Sequence, residues 1–308
     1  MTRAVVFAYH NVGCECLAVL LRHKIDVALV LTHTDNPSEL IWFDSVAALC
    51  SKHGIEAITP DDAYTPEILA RLRALQPDFI FSFYYRNMLT QAVLDTAKRG
   101  ALNMHGSLLP KYRGRVPINW AVINGETETG ATLHYMTAKP DAGDIVGQQA
   151  VAIGPDETAA DVFRKVTAAA AKVLDRHLPG LVAGTAPRIV QDLKAGAYFG
   201  GRKPADGRID WSLPDVRVHN LVRGVAPPYP GAFTEIPGGT LKVFRTRLEP
   251  KPPAGQPRPS LSVRDGACIA VCADGSALRL LEMEFEGKPF TAQDFLSRFG
   301  DNPVSLET

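Results

Sequence analysis

Asn103 and His105 stand two residues apart in Asn103-Met104-His105-Gly106-Ser107-Leu108-Leu109-Pro110, the densest polar stretch of this 308-residue chain. The run Ala101 to Met104 reads as a strand, and residues two apart along a strand project from one face. An amide beside an imidazole suits acyl transfer. The imidazole can carry a proton between nucleophile and leaving group, and the amide NH2 can donate to the oxyanion formed when a carbonyl is attacked. Such a pair needs a third group to orient the ring. Pro140-Asp141-Ala142-Gly143-Asp144 offers two carboxylates in a turn ahead of another strand. Either could favour the protonated imidazole and raise its pKa. Asp144 could instead cap the turn or meet Lys139, and spacing does not choose between them.

The elements that must position these groups follow a βαβα rhythm. Strand-length apolar runs at Ala4–Tyr9, Val27–Thr32, Ile55–Ile58, Asp78–Tyr85 and Ala101–Met104 alternate with helical patterns at Cys16–Leu21, Ser45–His53, from Thr65-Pro66 to Leu75, and Gln91–Ala97. This predicts an α/β fold with a mostly parallel, twisted, Rossmann-like sheet, its ligands beyond the carboxyl ends of the strands. A helix over Val116–Val122, strands near Ala131–Met136 and Ile145–Val151, and a long helix ending near Pro179-Gly180 complete this part. The first loop, Tyr9-His10-Asn11-Val12-Gly13, lacks G-x-G-x-x-G, and no G-x-x-x-x-G-K-[ST] occurs, which argues against a conventional dinucleotide or P-loop site.

From about residue 186 glycine and proline punctuate shorter segments. A helix over Asp215–Val222, a strand over Thr240–Thr246 and a hairpin around Asp274-Gly275 predict a smaller β-barrel, OB-like domain, with Pro250–Pro259 as an exposed proline-rich loop. The expected organisation is a catalytic domain over 1–185, a linker over 186–205 and the barrel domain over 206–308.

Composition narrows the chemistry. Lys plus Arg and Asp plus Glu number 33 each, and the balance is −2 over residues 1–185 and +2 over 186–308. Residues 33–51 contain no Lys or Arg at all. A protein whose affinity comes from a basic surface, as in nucleic-acid binding, is not expected. Five cysteines, Cys14, Cys16, Cys50, Cys268 and Cys272, form no zinc spacing, and reduced structural thiols in a cytoplasmic protein are expected. No metal cluster, membrane span or signal peptide is read. Tyr84 and Tyr85 read as packing residues, and the histidines other than His105 carry no assignment.

With Arg113-Gly114 and Asp141-Ala142-Gly143 added to the Asn103-x-His105-x-Ser107-Leu108-Leu109-Pro110 stretch, the chain resembles the folate-dependent formyltransferases. That family acts on methionyl-tRNA, glycinamide ribonucleotide and nucleotide-linked sugars. Val5–His10, Thr32–Pro37, Phe81–Arg86, Leu109–Arg115 and Asn124–Gly130 further resemble the formyltransferase domain of bifunctional enzymes that process UDP-4-amino-4-deoxy-L-arabinose in lipid A modification and polymyxin resistance. Val222-Arg223 and Pro228–Phe233 extend the likeness more weakly, with Tyr229 where many relatives have Trp. The resemblance implies formyl transfer from 10-formyltetrahydrofolate to a UDP-linked sugar amine, with Asn103, His105 and Asp141 as the catalytic set and Asp141 preferred over Asp144. It implies folate contacts at Asn87, Met88, Leu89, Arg115 and Thr137, Ala138, Lys139, Pro140 and Asp141. The bifunctional relatives continue into an NAD-dependent decarboxylase, whereas this sequence stops at Thr308, so a separate decarboxylase partner is expected.

Overall fold

In the computed structural model, which describes residues 1–37, 39–250 and 259–306, the apolar runs of the first half become strands separated by helices. β1 (Arg3–Ala8), β2 (Asp26–Leu31), β3 (Ala57–Ile58), β4 (Phe79–Phe83) and β5 (Ala101–His105) alternate with α1 (His10–Arg22), α2 (Val46–Lys52), α3 (Pro66–Leu75) and α4 (Gln91–Leu94). There follow β6 (Arg113–Gly114), α5 (Pro117–Ile123), β7 (Glu128–Tyr135), β8 (Ile145–Ala152), α6 (Ala159–Ala183) and β9 (Tyr198–Phe199). Seven of these strands form one sheet in the order β3-β2-β1-β4-β5-β7-β8. Its first five strands are parallel, and β7 and β8 are antiparallel to their neighbours. β6 and β9 pair separately.

Local chemistry explains several boundaries. The Thr65 side chain accepts a hydrogen bond from the Ile68 N–H, and Pro66 sits where its missing donor costs nothing, so α3 starts there. Tyr84, at φ +58°, ends β4 earlier than its apolar run suggests. α1 begins at His10, so the stretch expected as a loop is largely the first helical turn. Gly13 permits this, because a Cβ there would stand 3.1 Å from the Val46 side chain and 3.2 Å from that of Ala8. α6 continues past Pro179 to Ala183, contrary to the expected stop. Proline removes one backbone donor near the end of the helix, while Leu178 and Leu181 stay buried on its apolar face.

The described residues divide into two compact units. One comprises 1–117, 128–152 and 163–200; the other comprises 118–127, 153–162 and 201–308. The segment 186–200, expected as linker, therefore belongs to the first unit. Ile189 forms an antiparallel bridge to Ile145, and β9 pairs with β6. The second unit holds α7 (Asp215–Val225), β10 (Ala232–Ile236), β11 (Gly239–Glu249), β12 (Ser260–Arg264), β13 (Ala267–Val271), β14 (Ala277–Phe285), β15 (Lys288–Pro289), α8 (Ala292–Phe299) and β16 (Val304–Ser305). Its strands form a barrel-like antiparallel sheet in the order β10-β11-β14-β13-β12-β16, with Trp211, Val222, Leu241, Leu278 and Phe295 among its core. The β13–β14 hairpin turns at Asp274-Gly275 as expected, with the Asp274 carboxylate accepting from the Ser276 N–H. The expected proline-rich loop lies, apart from its two ends, outside the described residues.

The first unit's core places the chemistry. Val5, Phe7, Leu29, Leu31 and Ile80 are fully buried and hold the parallel strands in register. β5 lies between β4 and β7, and β7 sets Asn103 opposite His134 and His105 opposite Thr132. Thr132 then knots the loop that follows β5. Its hydroxyl donates to the Ser107 carbonyl at 2.6 Å and accepts from the Leu109 N–H at 3.1 Å and the Gln148 side-chain amide at 2.9 Å. Replacing Thr132 by Val leaves the Ser107 carbonyl and the Leu109 N–H without this partner, while the Gln148 amide keeps the Leu109 carbonyl, and each such loss costs about 1–3 kcal/mol. The T132V variant is expected to lose stability of that order in urea unfolding monitored by circular dichroism.

Candidate active site

Asn103 and His105 lie at the carboxyl end of β5, and the turn between β7 and β8 brings Asp141 to both. The Asp141 Oδ1 is 3.4 Å from the Asn103 amide nitrogen and 3.5 Å from His105 Nδ1. Its Oδ2 accepts from the Gly114 N–H at 2.9 Å. Asp141 adopts φ +50°, which turns its side chain back toward β5. Asp144, the alternative carboxylate, points elsewhere: its Oδ2 is 4.0 Å from Arg188 Nη1, and its backbone carbonyl accepts from the Tyr135 N–H. The three residues expected to act together are thus within reach of one another.

A fourth side chain joins them that sequence reading left unassigned. His134 Nε2 lies 3.2 Å from the Asn103 amide nitrogen and 3.5 Å from Asp141 Oδ1. Its Nδ1 faces the Tyr135 carbonyl at 2.8 Å. A carbonyl only accepts, so Nδ1 carries the proton and Nε2 accepts from the Asn103 amide. This orients the amide with its NH2 toward Asp141. The only clue in the sequence is the register of β7 on β5, which no single-strand pattern encodes.

The same argument fixes the His105 tautomer. Its Nε2 meets the Tyr112 carbonyl at 2.8 Å and must donate, which leaves the Nδ1 lone pair facing Asp141. His105 is 6% exposed. Burial lowers its pKa from the ordinary histidine value, and this outweighs the opposing influence of Asp141 and the Tyr112 carbonyl; His134 adds to the lowering. The expectation that a neighbouring carboxylate leaves this imidazole with a raised pKa is therefore corrected, because desolvation dominates. Burial also acts on Asp141, pushing its carboxyl up. Against this act the positive charge that His105 and His134 carry whenever they are protonated and the Gly114 N–H, and the group is held well below the usual carboxylate range. The site pairs an ionised carboxylate with a neutral imidazole whose free nitrogen faces it.

The other expected site residues surround this cluster unevenly. Asn87 and Met88 are exposed in the loop after β4, and Leu89 is buried. Leu89 is buried in an apolar cluster with Tyr85 and Ala101, and Met136 is packed against the same cluster. Thr137, Ala138 and Lys139 are exposed and Pro140 is half-buried. The Thr137 hydroxyl is turned inward on its own loop, donating to the Lys139 carbonyl. Arg115 is exposed, and its N–H donates to the Phe199 carbonyl one residue beyond the Gly114 contact to Asp141. Tyr85 packs as expected, edge-on to Phe7 and stacked on His33. All five cysteines are free and buried. Among the described residues no group of three or more His, Cys, Asp or Glu side chains has the geometry to hold a metal ion, and no helix is long and apolar enough to cross a membrane.

The Formyl transferase family matches residues 10–178, and the Formyl transferase C-terminal domain family matches residues 202–300. Among solved structures, the chain is similar to an N-formyltransferase from Helicobacter canadensis in complex with folinic acid and dTDP-3-aminofucose, at 18% identity over 94% of this chain and 100% of that one, with a TM-score of 0.69. It is similar to a sugar N-formyltransferase from Shewanella sp FDAARGOS_354, at 18% identity over 79% and 96% of the two chains and a TM-score of 0.63. HypX from Aquifex aeolicus, solved with tetrahydrofolic acid, gives 19% identity over 96% of this chain and 47% of that one, with a TM-score of 0.63. At these identities the likeness is one of fold.

The electrostatics of the cluster are directly measurable. The His105 ring, followed by NMR, is expected to titrate below the ordinary value of about 6.5. Asp141 favours the imidazolium, so removing its charge in D141N should move the His105 titration lower still.

Proposed function

The chain belongs to the formyl transferase family, and from that premise we propose that it transfers the formyl group of 10-formyltetrahydrofolate to the 4-amino group of UDP-4-amino-4-deoxy-L-arabinose. The observation that carries the reaction class is the meeting of amide, neutral imidazole and ionised carboxylate at the end of β5. When bound, 10-formyltetrahydrofolate supplies the electrophilic formyl carbon. The resemblance puts its flat heterocycle at the loops bearing Asn87 and Met88 and Thr137 to Lys139, whose residues are exposed beside the apolar cluster that takes in Leu89 and Met136. Arg115 is the exposed cation next to this region.

Each residue then has a defined task. His105 Nδ1 accepts a proton from the attacking amine and returns it to the folate nitrogen that leaves. Asp141 stabilises the imidazolium formed in between. Asn103 keeps its bond to His134, and the hydrogen it points along the longer 3.4 Å path to Asp141 is free to shift to the oxygen that gains charge.

Charge supports a sugar nucleotide over tRNA. The chain is neutral overall, and residues 33–51 carry no cation to meet phosphates. Two of the acidic groups in that stretch are already engaged, Asp35 by the Tyr9 hydroxyl and Glu39 by Arg86. The UDP-arabinose assignment within the sugar nucleotides rests on sequence resemblance, and it places the protein in lipid A modification. A second reading is formylation of a dTDP-linked amino sugar, since the Helicobacter canadensis protein was solved with one.

A substrate panel with 10-formyltetrahydrofolate separates these readings. UDP-4-amino-4-deoxy-L-arabinose should be the preferred acceptor; preference for a dTDP-amino sugar selects the second reading, and formylation of Met-tRNA alone overturns both. N103A and H105A should each lower kcat by roughly 10²- to 10⁴-fold without loss of fold. The acid limb of kcat/KM should fall below about pH 6.5, because protonating His105 removes the base.

A further inference from the structure

Gln191 is 9% exposed and lies in the stretch that sequence reading assigned to a linker. Its side-chain nitrogen donates to two backbone carbonyls of the catalytic turn, Asp141 at 3.1 Å and Gly143 at 2.6 Å. Both targets only accept, so the amide must present NH2 to them; its oxygen is buried without a hydrogen-bond partner among the described residues. An apolar side chain of the same size would fill the space and leave both carbonyls unpaired.

The turn needs such a clamp. Asp141 stands at φ +50°, a conformation that a non-glycine residue keeps only when its surroundings impose it. Gly143 is pressed against β7, where a Cβ would come 2.0 Å from the Tyr135 carbonyl oxygen. The turn is therefore held from β7 on one side and from Gln191 on the other. Gln191 is itself fixed by the bridge two residues earlier, where Ile189 and Ile145 exchange backbone hydrogen bonds of 2.8 and 2.9 Å.

We propose that Gln191 is a positioning residue for the transfer reaction, holding the Asp141–Gly143 turn so that the Asp141 carboxylate faces His105. The proposal rests on the roles assigned above to His105 and Asp141. Its hydrogen bonds go to the backbone that carries Asp141, and it acts through that backbone. The groups facing that carboxylate are the His105 and His134 imidazoles, the Asn103 amide and the Gly114 N–H, while Asp144 is turned toward Arg188.

The test uses the full chain and two variants. Q191M keeps length and volume but has no donor, and Q191N keeps the amide but is too short to reach both carbonyls. NMR titration of the His105 ring reads the Asp141 contact without any assay of activity. With Asp141 displaced, the His105 titration should move lower in Q191M, in the direction set by D141N, and less far in Q191N. On the order of a tenfold to hundredfold fall in kcat should accompany the larger shift, with KM for both substrates little changed. A His105 titration superimposable on wild type in the folded variants overturns the proposal, even if activity falls, because a merely structural residue would do that. If Q191M does not fold, Q191N alone decides on the same criterion. A wild-type protein that transfers no formyl group instead overturns the functional reading.

Discussion

A carboxylate shut largely away from water must be compensated, and the Asp141 side chain is the charge around which this site is arranged. Leaving such a group ionised without partners is far more costly than a single hydrogen bond can offset. Here the Gly114 N–H donates to it, the Asn103 amide points at it from 3.4 Å, and two imidazoles face it whose protonated forms it favours. The Gly114 N–H comes from the loop after β5, and the two imidazoles come from β5 and β7. Because these partners belong to separate stretches of chain, the carboxylate ties together the loop, the strand pair and the turn. It also holds His105 opposite a negative charge while burial keeps that ring neutral.

The backbone near the site bends against its own preferences to achieve this. Tyr112, Val116 and Asp141 all have positive φ. For L residues that region costs about 1–2 kcal/mol each, and a β-branched side chain such as Val116 is especially unsuited to it. The compensation is visible around the loop. Tyr112 stacks on Phe199 with centroids 4.9 Å apart, and buried Arg113 donates to the Leu193 and Gly196 carbonyls at 3.1 Å each. Gly114 and Gly196 allow the approach, since a Cβ at either would lie within about van der Waals overlap of a backbone carbonyl, 2.2 Å from that of Phe199 and 1.9 Å from that of Pro110. The stretch 186–200 is thus part of the architecture of the candidate site. It supports the loop after β5 through Arg113 and β9, and the β7–β8 turn through Gln191.

Much of the fold was legible from local patterns. The five parallel strands follow from short apolar runs separated by helical periodicity, and the β13–β14 hairpin follows from Asp274-Gly275. Element ends were less legible where tertiary packing overrides local preference. α1 starts early because Gly13 lets it lie close to β1, and α6 runs through Pro179 because buried leucines hold its final turns. The partition into units was not legible either. Composition changes near residue 186, but backbone pairing carries the first unit on to residue 200.

At the site, residue identity and period-two spacing were enough to mark Asn103 and His105 as a chemical pair, because side chains on one strand alternate faces whatever surrounds them. Spacing left Asp141 and Asp144 as equals, and the resemblance to a family favoured Asp141. Only the folded chain turned Asp141 inward and Asp144 toward Arg188, since that depends on a left-handed backbone angle imposed by distant contacts. The same holds for His134, placed by strand register, and for Gln191, placed by a bridge across 44 residues of chain between Ile145 and Ile189. The direction of the His105 pKa also came from the fold, because desolvation depends on how much of the chain closes over a group and not on its neighbours in sequence.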